Sequence, residues 1–154
     1  MLEIIKHPNK ILRQKSKPID IDKIKELQDL IKEMTETMFE KDGAGLAAPQ
    51  IGKNIRLVII NQNDQAVVMI NPEITKKSWA REVDQEGCLS VVNDKNEIYY
   101  LPVSRHKKVN CQYFNEAGEK KKIKAENLLA RVLQHEIDHL DGILFIDKTV
   151  SNDQ

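Results

Sequence analysis

The segment His135-Glu136-Ile137-Asp138-His139 constrains the fold of this chain more than any other feature of its sequence. It lies within residues 126–141, where apolar residues recur at helical spacing and cover most sides of the predicted helix. These apolar residues are Leu128, Leu129, Val132, Leu133, Ile137 and Leu140. Because other elements must cover such a helix, the sequence predicts a central helix that carries two histidines and a glutamate into the interior, with Gly142 ending it.

The spacing of the two histidines indicates a metal site. Residues four apart lie on one helical face, so the imidazoles of His135 and His139 can reach the same ion. Glu136 can act beside that ion without binding it, which is the H-E-x-x-H arrangement of metal hydrolases. Two surface histidines at this spacing by chance are the alternative. The apolar surroundings disfavour that alternative, because unpaired polar groups are costly to bury.

Two histidines leave the coordination incomplete, since a catalytic metal site usually has three protein ligands and a water. Cys88, within Glu86-Gly87-Cys88-Leu89-Ser90, is one candidate for the third ligand, and Asp141 and Asp147 follow the helix. A lone cysteine is more often a small buried hydrophobic residue. From these residues alone the third ligand therefore stays open.

The rest of the chain predicts an α+β fold. Residues 22–41 have apolar residues at spacings of three and four, which indicates an amphipathic helix with Asp22 as its N-cap and Gly43 beyond its end. Strands are predicted at 55–61 and 66–71, at 98–103, and at 107–115 and 120–125, the first and last pairs as hairpins. Cys111 is expected to point into a sheet. Strands and helices do not alternate regularly, which favours α+β.

Length and charge narrow the class of protein further. The 154 residues correspond to about one domain, and no linker or repeat divides them, so we expect a single domain over residues 1–154. The 24 basic and 24 acidic residues balance, which predicts no nucleic-acid binding of its own. No apolar run approaches the roughly 18 residues of a membrane span, and the start has no signal-peptide pattern. We therefore expect a cytoplasmic protein without membrane contacts. Separately, we expect it to be a monomer.

Three segments together resemble the signature motifs of the peptide deformylase family. They are Gly43-Ala44-Gly45-Leu46-Ala47-Ala48-Pro49-Gln50, Glu86-Gly87-Cys88-Leu89-Ser90 and Gln134-His135-Glu136-Ile137-Asp138-His139-Leu140, in the family's order and at similar spacings. With the similar opening segment around His7-Pro8, the resemblance covers about residues 5 to 147. It implies antiparallel β-sheets packed around the central helix. It also implies an enzyme that removes the N-formyl group from the N-terminal methionine of nascent polypeptides and releases formate.

The resemblance assigns roles to individual residues. It implies that Cys88, His135 and His139 are the metal ligands, with water in the fourth position. It implies Glu136 as general base and acid, and Gln50 with the backbone N–H of Leu89 as donors to the oxyanion. The implied ion is Fe(II), which Zn, Ni or Co can replace in preparations.

A pocket for the methionine side chain is expected next to these motifs. Ala44, Leu128, Arg131 and Val132 are predicted to line it. The predicted substrate-binding residues also include Gly43, Glu86 and Gly45, whose backbone would contact an extended peptide. For Leu128 and Val132, ordinary core packing is an equal alternative. Glu86 and Arg105 match a family pair that braces the metal loop, and the stem of Arg131 can cover apolar surface.

The sequence departs from the family pattern in two places. The segment 91–104 is longer than in the short bacterial type and has a polar turn at 93–96, so the peptide preference beyond formyl-methionine stays open. After Asp147 only a short polar tail remains. We therefore expect transient ribosome proximity without the basic docking helix of some relatives.

Two other functions compete with deformylation. One is a metallopeptidase that cleaves internal peptide bonds, which Cys88 and the segment 43–50 disfavour. The other is a non-catalytic homologue that only binds a metal or formyl-peptides. Intact Glu136, Gln50 and Cys88 disfavour it, because a binding module needs no general base.

Overall fold

A computed structural model describes residues 1–151 of the chain and has the expected α+β fold. Its α-helices within that range are α1, Gln28–Glu40, and α2, Asn127–Leu140. The strands there are β1 Gly45–Ala47, β2 Leu57–Gln62, β3 Gln65–Lys77, β4 Arg81–Glu86, β5 Leu101–His106, β6 Lys108–Phe114 and β7 Lys120–Glu126. Short 3-10 helices cover Lys10–Arg13, Ile21–Leu27, Ala48–Ile51 and Phe145–Asp147.

Two antiparallel sheets surround α2, as the resemblance implies. In the described part of the chain, the larger sheet has the strand order β1-β2-β3-β6-β7, and the smaller sheet pairs β4 with β5. One face of the larger sheet packs on α2, where Val58, Met69 and Cys111 lie in the same buried cluster as Leu133 and Ile137. Cys111 is 1% exposed and points into this core. Burial of each such apolar side chain contributes about 1.5–3 kcal/mol, so α2 is held mainly by packing.

Tight turns set the register of the larger sheet. The hairpin β2–β3 turns at Asn63 and Asp64, which both have positive φ (53° and 65°) and so match the twist of the two strands. The hairpin β6–β7 turns at Gly118, whose φ is 80°. Both predicted hairpins are present, and β3 extends well beyond the predicted end of its strand.

Helix α2 begins and ends within one residue of its predicted bounds. Gly142 follows it with a φ of 73°, and a Cβ there would collide with the backbone of Arg13. Both the positive φ and this collision therefore exclude a residue with a side chain at position 142.

The other helix and one strand differ from the prediction. The segment predicted as one helix over 22–41 begins as a 3-10 helix, and its N-cap is Asp20, whose side chain accepts from the N–H of Asp22 at 3.0 Å. Asp42, not Gly43, adopts the left-handed conformation after α1. The strand predicted at 98–103 lies three residues further on as β5, because its pairing with β4 sets its bounds. Strand β4 was not predicted from the sequence.

Two expectations from the sequence concern membrane spans and the polar C-terminal tail. Among residues 1–151, the structure contains no helix that combines the length and the apolar character needed to cross a membrane. The polar tail is described up to Ser151, and residues 152–154 of the predicted tail lie outside the described residues.

Candidate active site

Cys88, His135 and His139 meet at one point next to α2. Their candidate ligand atoms all lie within 4.8 Å of one another, and Cys88 Sγ is 3.4 Å from His139 Nε2. The two imidazoles stand one helical turn apart with ring centroids 5.1 Å apart. Cys88 reaches this point because β4 ends at Glu86, two residues before the cysteine. The structure therefore brings together all three predicted ligands.

This donor set fits a transition-metal ion. A thiol with two imidazoles suits Zn or Fe(II), whereas Ca²⁺ and Mg²⁺ prefer oxygen ligands. His135 Nδ1 is 2.9 Å from Glu86 Oε1, which leaves the Nε2 atom of that ring for an ion. Burial lowers the pKa of His135, but the neighbouring Cys88 and Glu86 outweigh it and raise the pKa to about 10. Surroundings that favour positive charge on the imidazole also favour a bound cation.

Glu86 is the centre of a buried ion-pair network behind the ligands. Arg105 donates to both carboxylate oxygens of Glu86 at 2.9 Å, and Arg131 donates to Oε2 at 2.7 Å. Burial would raise the pKa of Glu86, but the hydrogen bonds with Arg105 and His135 outweigh it and hold the pKa well below its usual range. The ionised carboxylate fixes the ring of His135, as partners behind metal ligands commonly do. The predicted pair of Glu86 and Arg105 is present.

Glu136 lies beside the cluster with a free carboxylate oxygen. Its side chain is 5% exposed, and its Oε2 has no hydrogen-bond partner among the described residues. Burial raises its pKa to about 7, against a smaller opposing effect of His135. A carboxylate with such a pKa can both accept and return a proton near neutral pH. The pKa of His139 lies well below its usual value, mainly because of burial, so this imidazole is neutral as a ligand must be.

The backbone of β1 approaches Glu136 very closely. A Cβ on Gly45 would lie 2.7 Å from Glu136 Cγ and 2.9 Å from its Oε1. Because glycine has no Cβ, position 45 leaves room for the side chain of Glu136.

Gln50 is held with its amide NH₂ group turned to the cysteine loop. It is 1% exposed, and its Oε1 accepts from the N–H of Ala47 at 2.9 Å. Its Nε2 lies 3.1 Å from Ser90 Oγ and 3.6 Å from Cys88 Sγ. The amide orientation is thus fixed by the backbone contact, with the donor end at the site.

A cleft of about 370 Å³ opens onto these groups. All the predicted site residues except His139 line it: Gly43, Ala44, Gly45, Gln50, Glu86, Cys88, Leu89, Leu128, Arg131, Val132, His135 and Glu136. Leu128 is 71% exposed, so core packing does not explain it. The guanidinium of Arg131 donates hydrogen bonds to Glu86 and to the backbone carbonyls of Glu82 and Val103, so it does not form an apolar surface.

Six residues that line the cleft were not predicted as site residues. They are Lys41, Asp42, Gln85, Gly87, Ile98 and Tyr100. Ile98 and Tyr100 stand two apart in an extended segment, which puts their side chains on one side. That alternation was the available signal for these two residues.

Known proteins resemble this chain over almost its whole length. The family model described as "Polypeptide deformylase" matches residues 1–154. The chain is 48% identical over 147 residues to a protein of Clostridium botulinum named peptide deformylase, with 95% of each chain covered. The solved structure of peptide deformylase from Thermotoga maritima has a TM-score of 0.90 at 37% identity, covering 98% of this chain and 99% of that one. A probable peptide deformylase from synechococcus phage S-SSM7 has a TM-score of 0.87 at 42% identity, covering 96% and 99%. The chain therefore belongs to the polypeptide deformylase family of metal-dependent enzymes.

Proposed function

We propose that this chain hydrolyses the N-formyl group of formyl-methionyl nascent polypeptides and releases formate and a free amine. The observation that carries the proposal is the carboxylate of Glu136, which stands beside the Cys88, His135 and His139 cluster in a substrate-sized cleft. Peptide deformylases act on formyl-methionyl peptides, and the chain covers 95% of the length of the Clostridium botulinum relative.

Cys88, His135 and His139 would hold one divalent ion, which we expect to be Fe(II), with Zn, Ni or Co as replacements in preparations. When bound, such an ion lowers the pKa of water and polarises a carbonyl oxygen. Glu86 supports the arrangement by accepting from His135 Nδ1, which fixes both the tautomer and the orientation of that ligand.

Glu136 carries the proton in the proposed reaction. Its free Oε2 accepts a proton from the attacking water and then donates it to the amine nitrogen of methionine. One C–O bond to the formyl carbon forms, the formyl C–N bond breaks, and formate leaves. Because Glu136 is buried, bulk water does not compete for the proton.

Two donors would stabilise the negative charge that develops on the formyl oxygen. The Nε2 of Gln50 is one, since its other amide atom is fixed by Ala47. The backbone N–H of Leu89 is the other. Preorganised donors of this kind contribute most where charge develops in a site shielded from water.

The methionine side chain would enter the part of the cleft between β1 and α2. Leu128 and Val132 offer apolar contacts there, and Gly43, Ala44 and Gly45 offer backbone groups to an extended peptide. Glu86 and Arg131 form the polar wall behind it. We propose that the protein acts in the cytoplasm as a monomer, near the ribosome only transiently and without nucleic-acid or membrane binding of its own.

The test is formate release from formyl-Met-Ala-Ser by iron-loaded protein under anaerobic conditions, with acetyl-Met-Ala-Ser as the matched substrate. We expect release of formate and little release of acetate. Glu136→Gln should keep the metal and lose at least about 10²-fold in rate. Absence of formate release from the loaded wild-type protein contradicts the proposal. Cleavage of internal bonds in unformylated peptides would support a metallopeptidase instead.

A further inference from the structure

The cleft has an apolar wall that the proposed chemistry and the methionine pocket do not use. Among the described residues, six large hydrophobic side chains are exposed, and three of them line this cleft: Ile98 (38%), Tyr100 (63%) and Leu128 (71%). Leu128 stands on α2 with the proposed methionine pocket, whereas Ile98 and Tyr100 come from the segment after Cys88. Apolar groups left exposed together in a cleft mark a place where a ligand covers them.

The segment that carries these two side chains is firmly held. Tyr99 points the other way, and its ring lies 6.4 Å from that of the buried Phe145. Val92 and Ile98 form an antiparallel bridge. The side chain of Asn93 accepts from two backbone N–H groups of the turn at 2.9 and 3.0 Å. Ile98 and Tyr100 are therefore presented to the cleft by an ordered scaffold.

Both side chains lie directly on the backbone of Gly87. A Cβ there would be 2.7 Å from Tyr100 Cε1 and 2.9 Å from Ile98 Cγ2. Gly87 precedes Cys88, so this apolar surface begins one residue from the reaction centre. Successive residues of an extended peptide are about 3.3 Å apart and point to opposite sides. A peptide whose methionine side chain faces α2 thus directs its next side chain away from α2.

We propose that Ile98 and Tyr100 bind the side chain of the residue that follows formyl-methionine and make the protein favour apolar residues there. The inference rests on the proposed function, because it places the formyl group between Cys88 and Glu136. It adds a specificity determinant that comes from the lengthened segment 91–104.

The test compares kcat/KM for formyl-Met-Leu-Ser and formyl-Met-Gly-Ser. We expect the wild-type protein to prefer the leucine peptide by about tenfold, the scale of one good apolar contact. Tyr100→Ala should reduce this preference to about twofold by raising KM for the leucine peptide while kcat is kept. Tyr100→Phe should retain the preference. Trp79→Ala, which removes an aromatic ring that is 97% exposed and outside the cleft lining, is the matched control and should retain it too.

An unchanged ratio of kcat/KM in Tyr100→Ala would overturn the inference. If both peptides lose kcat/KM equally, that unchanged ratio would assign Tyr100 to loop support. If Tyr100→Ala does not fold, Ile98→Ala is the second variant, with the same expected narrowing of the ratio. Formate release from both peptides with no preference contradicts this inference alone. No formate release from either peptide contradicts the proposed function as well.

Discussion

Gly45→Ala is the sharpest perturbation of the proposed reaction, because it moves the proton carrier without touching a metal ligand. The new Cβ would lie 2.7 Å from Glu136 Cγ, whereas carbon atoms in contact normally stand about 3.5–4.0 Å apart. The side chain of Glu136 must therefore shift by about 1 Å. A displacement of that size at a reacting group can cost about 10²-fold in rate.

The expected result is a fall in kcat/KM of about 10²-fold for formyl-Met-Ala-Ser, with one metal ion per chain retained. Overpacking should also lower the free energy of unfolding by about 1–3 kcal/mol, which urea titration measures. Gly43→Ala is the matched control, since its nearest contact would be 3.3 Å to the Gly45 carbonyl oxygen, and its loss of rate should be much smaller. Near wild-type activity in Gly45→Ala would refute the role given to the Glu136 carboxylate.

Two further predictions concern stability. Arg131→Met removes three hydrogen bonds from a buried ion-pair network and should lower the free energy of unfolding by about 3 kcal/mol in urea titration. The control is Arg13→Met, which breaks the exposed ion pair with Asp147 and should lower it by less than about 1 kcal/mol. Equal costs would contradict this account of the network. Burial raises the pKa of the Cys111 thiol from 9.0 to about 11, so the unfolded chain loses that proton first as pH rises. The free energy of unfolding should therefore fall between about pH 9 and pH 11, and it should fall less in Cys111→Ala. If wild type and Cys111→Ala show the same dependence of stability on pH, this role of the Cys111 thiol is contradicted.

Helix α2 and the hairpins were predictable because their signals are local. The apolar spacing over 126–141 and the ending at Gly142 depend on residues within one turn of each other. The hairpin β2–β3 is likewise fixed by two turn residues that tolerate positive φ. In such segments the propensity of each residue and the final packing agree.

The misses at β4 and Cys88 depend on contacts between distant parts of the chain, whereas the miss at Asp20 is local. Strand β4 has exposed side chains on both faces, so its sequence shows no alternation of apolar and polar residues. It is held by pairing with β5 and by the hydrogen bond that Arg131 donates to the carbonyl of Glu82. Asp20 replaced Asp22 as N-cap because the segment begins as a 3-10 helix, which periodicity does not reveal. From the residues alone, the third ligand stayed open because Cys88 and α2 meet only in the folded chain.

Cys88 as the third ligand, with Glu136 outside the metal coordination, is the central claim about this site. The measurement is metal content per chain after anaerobic iron loading and gel filtration, compared between wild type, Cys88→Ser and Glu136→Gln. We predict about one iron per chain for wild type and Glu136→Gln, and a clear loss for Cys88→Ser, because replacing the thiolate removes a soft ligand. Retention of iron by Cys88→Ser together with its loss from Glu136→Gln would contradict the account.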